Sequence, residues 1–333
     1  MDGTRSPRLD AELGDTLPTM TEPPLDVVLA LGGGAARGLS HVGIIRVLEQ
    51  HGVRIRGIAG TSIGAIVGGM YCAGLFDEYE AYSRKIDAKR MLRMLDPVIP
   101  RSGLLGGSRV VNQLAEFLGE VAIEELPLPF CALATELKTG EEVVLHEGSL
   151  VEAIRASFAI PGIFTPTKID GQWLVDGGVS TPVPIRAARE LVPDIPMIAV
   201  NLNNVDLVFE DDKINMLDAS EEERELGRIE RLMNRMRSSD KSPGLLTSIS
   251  DSITHMEHRI ARFQIAADNP DLLLEPAVYG VGLFDFHRAD SIIQTGKDCA
   301  QRAVEDGELD HLIAKARRQK LRPHWPHAKR KPK

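Results

Sequence analysis

Cysteine is scarce in this 333-residue sequence: Cys72, Cys131 and Cys299 stand far apart and form no C-x-x-C pair. That excludes a disulfide framework and fits small buried hydrophobes in a reducing compartment. Excess positive charge is also missing. The net charge is −9, so the body has no general attraction for the phosphates of nucleic acid. Residues 1–24, rich in Pro, Thr and Asp, lack the basic start and apolar core of a secretory signal, and are expected to be a disordered leader on a cytoplasmic protein. No calcium loop and no H-E-x-x-H occur, and no internal repeat is visible. No metal or cofactor is expected.

One long uncharged run is present, between Arg56 and Asp77, with Gly64 and Gly68 spaced like a membrane-helix dimer motif. Glycine density argues against a span. Five glycines fall between Gly57 and Gly69 behind a strand-like start, which reads better as buried strand, tight turn and buried helix.

With 43% apolar residues the chain can bury a sizeable core, and its length suits one main domain with an added helical segment. "LDVVLAL" (25–31) reads as a strand buried on both faces. "LSHVGIIRVLEQHG" carries a helical stripe, Leu39, Val42, Ile45 and Leu48, and stops at Gly52; "VRIRGIAG" (53–60) reads as a second strand. Strand, helix and strand in that order predict a βαβ unit and a parallel sheet. "FCALATEL" and "EEVVLHEG" around Lys138-Thr139-Gly140, and the turn at Asp170-Gly171, are hairpin candidates; "PMIAVNL" (196–202) is another buried strand. The expected fold is a three-layer α/β/α sandwich with a mainly parallel central sheet and a C-terminal helical segment.

A catalytic core over 25–205 is followed by a charged helical stretch and a break at Ser242-Pro243-Gly244. Next comes a helix whose seam (Leu246, Ile249, Ile253, Met256, Ile260, Phe263) is expected to pack on the core, a lid, membrane-facing or dimer face being the alternative. "DLLLEP" (271–276) suggests one more strand and 288–318 a final helix, so 206–316 is read as a helical extension on the core. Residues 317–333 form a basic tail. From Arg317 onward the chain holds eight Lys and Arg and no acid, so without them the charge falls from −9 to −17. The tail reads as a solvated, disordered terminus or as a weak contact with anionic lipid.

Two glycine loops carry the chemistry. Gly32-Gly33-Gly34-Ala35-Ala36-Arg37-Gly38 lies between the first strand and the first helix, where unpaired amides and a partial positive charge suit an anion. The dinucleotide register G-x-G-x-x-G fails, no acidic residue closes the second strand, and no Gly-Lys-Ser/Thr follows, which leaves an oxyanion as the candidate. Gly60-Thr61-Ser62-Ile63-Gly64 ends the second strand of the same unit, and glycines around a serine permit the tight turn that lifts its Oγ. Adjacent parallel strands end on one sheet edge, so hydroxyl and amides face one another.

The serine needs a base. His41, His51, His146, His255, His258, His287 and His311 are available, but His41 falls inside the first helix and suits a core or capping role. None of the later ones follows a strand in a glycine turn. "WLVDGGVS" ends an apolar strand at Asp176, and Gly177-Gly178 can aim the carboxylate at the sheet edge, where partial burial would raise its pKa. A plain Asp-Gly surface turn is the bland reading, set aside because a serine in need of a base exists.

The blocks GGGAARG (32–38), GTSIG (60–64), ASFAIPGIF (156–164) and DGG (176–178), in that order, resemble the patatin-like phospholipase family. The match is to its bacterial branch, similar to the neuropathy-target-esterase catalytic domain, over about residues 25–205. "EPAVYGVGLFDFHRADSIIQTGKDCA" resembles that branch's C-terminal portion. The resemblance implies a Ser62–Asp176 dyad, an oxyanion hole at the amides of Gly33, Gly34 and Ala35, and a basic position at Arg37. Gly32, Gly38, Gly60, Gly64, Gly177 and Gly178 support the motifs, while Ser157 and Pro161 shape the wall near the dyad. Ala35 departs from the all-glycine form of the loop. The implied substrate is a lipid or other long-chain ester. Two other readings of the glycine loop stay open: a nucleotide-binding protein, and a catalytically silent regulatory protein.

Overall fold

A computed structural model describes residues 24–94, 96, 103–203 and 245–320. The leader before Pro24, the charged stretch from 204, the Ser242-Pro243-Gly244 break and the tail beyond Lys320 lie outside the described residues.

Ten strands are β1 (Leu25–Leu31), β2 (Val53–Thr61), β3 (Gly103–Leu105), β4 (Phe130–Glu136), β5 (Glu142–Leu145), β6 (Gly162–Phe164), β7 (Thr167–Ile169), β8 (Gln172–Asp176), β9 (Met197–Val200) and β10 (Leu272–Leu274). The helices are α1 (Ser40–Gln50), α2 (Ile63–Cys72), α3 (Phe76–Ser83), α4 (Ala88–Met94), α5 (Ser108–Leu118), α6 (Leu150–Ser157), α7 (Ile185–Leu191), α8 (Leu245–Asp268), α9 (Ala289–Glu305) and α10 (Glu308–Lys320). The main sheet runs β10-β9-β1-β2-β4-β8-β7, with β5 also on β4, while β3 and β6 pair separately. β10, β9, β1, β2 and β4 are mutually parallel; β5, β8 and β7 are antiparallel additions.

β1 shows why the sheet sits in the middle. Its Val27, Leu29 and Leu31 point into a core shared with α1, α2 and α9, and its Val28 and Ala30 into a second core with α7 and α8. A strand buried on both faces reads as a continuous apolar run, and helices cover both sides as βαβ crossovers demand. The result is the expected α/β/α sandwich. On one face α9 lies against α1 at backbone contact: a β-carbon at Gly43 would fall 2.0 Å from Ile293 O, and one at Gly296 2.0 Å from Ser40 O.

The uncharged run resolves into β2 and the ten-residue α2. Among the described residues no helix is long and apolar enough to cross a membrane. The single final helix expected over 288–318 is two, α9 and α10, separated at Gly307, whose φ of 74° ends the first. β10, from the stretch read as a helical extension, pairs with β9 in the main sheet.

One detail of register positions the site. β2 reaches its end with Thr61 opposite Leu133 of β4, and β8 arrives from the other direction with Asp176 opposite Ala134. Both Leu133 and Ala134 also pair with β5, so β2 and β8 share the other edge of β4 and stop head to head.

Candidate active site

That head-to-head stop brings Ser62 and Asp176 together across 114 positions of chain: Ser62 Oγ donates to Asp176 Oδ2 at 2.6 Å. Ser62 is the non-helical residue before α2, with φ 56° and ψ −119°, a conformation that costs a non-glycine residue about 1–3 kcal/mol. Its neighbours permit it. A β-carbon at Gly60 would fall 2.4 Å from Gly64 O, and one at Gly64 2.1 Å from Leu31 O, so the turn closes only with glycine at both places.

Ser157 anchors the turn from below. Ser62 N donates to Ser157 Oγ at 2.8 Å, and Ser157 Oγ donates to Leu133 O at 2.6 Å. Asp176 is oriented too, its Oδ1 accepting from Gly178 N at 2.7 Å. Burial raises the Asp176 pKa to about 6, opposed by the hydrogen bonds from Ser62 and Gly178. It is therefore ionised at neutral pH and far more basic than an exposed aspartate.

The glycine loop at the end of β1 passes beside the serine, so that a β-carbon at Gly33 would stand 3.4 Å from Ser62 Cβ. Of the three amides expected as oxyanion donors, one is already used: Gly33 N donates to Pro182 O at 3.0 Å. This corrects the expectation for Gly33. The loop is held down by the segment after β8, an interaction invisible in local sequence. No described residue accepts from the Gly34 or Ala35 amide, and Ala35 takes a φ of 49° as the chain enters the 3-10 turn Ala35–Leu39.

Arg37 braces this loop beside the site, donating from Nε to Gly34 O at 3.1 Å and from Nη1 to Leu202 O at 3.1 Å. Its burial lowers its pKa from the ordinary value, against the pull of Glu257. His41 is fully buried, with its Nε2 on Gly32 O at 2.9 Å; burial pushes its pKa down to about 4, so it is neutral and shapes the loop from the core side. None of the other histidines among the described residues bonds to Ser62 or Asp176.

Ser62 stands on the wall between two chambers. One is apolar, lined by Ile63, Ile66 and Met70 of α2, Leu114 and Phe117 of α5, and Phe158, Phe164 and Phe286, among others. The other is mixed in polarity and holds Gly33, Gly34, Arg37, Asp176 and Gly178 beneath Ile253, Thr254 and Glu257 of α8; Pro161 is in its wall.

Glu257 was not anticipated from the sequence. The apolar seam pointed elsewhere: Met256 and Phe263 are 55% and 70% exposed. α8 turns Thr254, Glu257, Ala261 and Gln264 inward because it roofs a polar chamber, leaving Met256 and Phe263 on the outer side. Glu257 sits where burial, then Asp176, raise its pKa to about 8, with Arg37 opposing. An acid on the flank of an apolar seam was the one available signal. Among the described residues no group of three or more His, Cys, Asp or Glu gathers as a metal cage.

Comparison with known proteins fits this arrangement. Residues 29–189 match the model of the patatin-like phospholipase family. An uncharacterised NTE family protein of Mycobacterium tuberculosis is 44% identical over 177 residues, 53% of this chain and 49% of that one. A second from the same organism is 28% identical over 296 residues, 83% and 46% of the two chains. Mouse patatin-like phospholipase domain-containing protein 6 is 32% identical over 171 residues, 50% of this chain and 13% of its own. The chain spans about half the length of the mycobacterial relatives it matches. The segment that carries the serine turn, the glycine loop and Asp176 is thus the one that matches the patatin-like phospholipase family.

Proposed function

We propose that this protein is a serine acyl hydrolase that cleaves long-chain esters of the lipid type. The observation that carries the reading is the 2.6 Å hydrogen bond from Ser62 Oγ to a buried carboxylate at the edge of an apolar chamber. Asp176 takes the Ser62 proton as Oγ attacks the ester carbonyl, and the amides of Gly34 and Ala35 hold the oxyanion. Asp176 returns the proton to the leaving alcohol, then activates water to free the fatty acid. Each oxyanion donor of this kind is worth about 2.7–4 kcal/mol in the barrier.

The apolar chamber takes the acyl chain, each buried methylene contributing about 0.8 kcal/mol. The outer face of α8, with exposed Met256 and Phe263 beside Arg259 and Arg262, supports contact with an anionic lipid surface from which substrate is drawn. Three buried, unpaired cysteines support a reducing, cytoplasmic setting. The test is labelling by a fluorophosphonate with fatty-acid release from a lipid panel. Wild type should label and release, and Ser62→Ala should do neither. A wild-type protein that neither labels nor hydrolyses is a silent regulator, and the proposal is then wrong.

A further inference from the structure

The apolar chamber and the Gly34 and Ala35 amides together fix how an ester would lie. With the acyl chain in the first chamber and the carbonyl oxygen on the amides, the remaining substituent is directed past Ser62 into the second. Its roof there is Glu257. A β-carbon at Gly178 would stand 2.7 Å from Glu257 Oε1 and 3.1 Å from Asp176 Oδ1, so the two carboxyls flank one point beside the base. No described residue hydrogen-bonds or ion-pairs with Glu257. Arg37, its only cationic neighbour in the chamber, already spends Nε and Nη1 on backbone carbonyls.

We propose that Glu257, in its protonated form, donates a hydrogen bond to the oxygen of the leaving alcohol. The inference rests on the hydrolase reading above. In acylation the Ser62 proton passes to Asp176, the Ser62 Oγ–acyl bond forms, the ester C–O bond breaks, and Asp176 delivers that proton to the leaving oxygen. Glu257 keeps its own proton and offsets the charge growing on that oxygen.

The charged and titratable surroundings are few. Asp176 faces Glu257 from β8 and Arg37 from the glycine loop. β6 and the turn Gly177–Val179, both packed on α8, carry no titratable side chain. On α7, Arg186 and Arg189 bond to Asp268 and Asn269 at the far end of α8, and Glu190 is exposed. On α8 itself, His258 bonds to Asn203 O, and His255, Arg259 and Arg262 face solvent. With Asp176 ionising near 6 and Glu257 near 8, turnover of an alkyl ester occupies the window between them.

The experiment compares a monoacylglycerol with a p-nitrophenyl ester of the same acyl chain, whose leaving group needs no donor. Glu257→Ala should lose about ten- to a hundredfold in kcat/KM on the glycerol ester, the size of one charge-assisted hydrogen bond, and under about threefold on the nitrophenyl ester. Glu257→Gln, whose amide donates more weakly and cannot ionise, should lose less than Glu257→Ala on the glycerol ester at pH 7 and lack the decline that wild type shows toward pH 9. Equal losses on both ester types, or an unchanged alkaline limb in Glu257→Gln, would overturn the proposal while leaving the hydrolase reading intact. Wild type inactive on both esters overturns both.

Discussion

Ser157 makes no contact with any reacting atom, yet replacing it by alanine should affect the serine turn in two ways. Its hydroxyl links Ser62 N at 2.8 Å to Leu133 O at 2.6 Å, in a pocket where Ser157 is fully buried. Alanine fills nearly the same space and takes no partner's place, so the Ser62 amide is left buried and unsatisfied, a cost of about 1–3 kcal/mol. That amide belongs to the residue with φ 56°, whose conformation persists only while its surroundings over-determine it. Without the tether the turn relaxes and the Oγ drifts from Asp176; a displacement near 1 Å costs on the order of a hundredfold in rate. Urea unfolding should show the stability loss with an unchanged slope, and the rate constant for fluorophosphonate labelling should fall ten- to a hundredfold. A Ser157→Ala protein within about 0.5 kcal/mol of wild type, labelling at the wild-type rate, would refute the tether.

Below about pH 6, kcat/KM should fall tenfold per unit as Asp176 takes up its proton, measured on a neutral ester with folding checked at each pH. The same shift reverses sign for stability. Asp176 binds its proton more tightly folded than unfolded, so ionisation penalises the native state above about pH 6. Asp176→Asn should therefore raise the unfolding free energy at pH 7.5 by up to roughly 3 kcal/mol for a two-unit shift, seen as a higher melting temperature, while abolishing turnover. Leu114→Trp should shorten the preferred acyl chain by filling the apolar chamber, read as a lower plateau in a chain-length series whose rising part gains about fourfold per methylene.

Much of this site was written locally. β1, the glycine loop, α1, β2 and the serine turn follow one another within forty residues, and each announces itself by an apolar run or a glycine cluster. Asp176 was legible because a serine needs a base and D-G-G closes an apolar strand. What sequence could not supply was register. Nothing local says that β2 and β8 end against each other on one edge of β4, or that Gly33 spends its amide on Pro182. Glu257 was hidden for a related reason: the strongest periodic signal in α8 marked residues such as Met256 and Phe263, which face outward, while the inward face mixes Ile253, Thr254 and Glu257 over the chamber with Ala261 and Ile265 on the apolar core. The paired helices α9 and α10 read as one because Gly307 looks in sequence like any helical glycine.

The family-matched segment stops at residue 189, before β9, and β9 is hydrogen-bonded on one side to β1 and on the other to β10. A fragment ending near 205 would thus carry a raw edge: the outer backbone groups of Met197–Val200 would be unpaired, and the bare glycine face of α1 would lose α9. Such a shortened chain should recruit a second copy of itself or come out of solution. The segment from β10 onward acts as a selvedge, the finished border that keeps the sheet from unravelling into its neighbours.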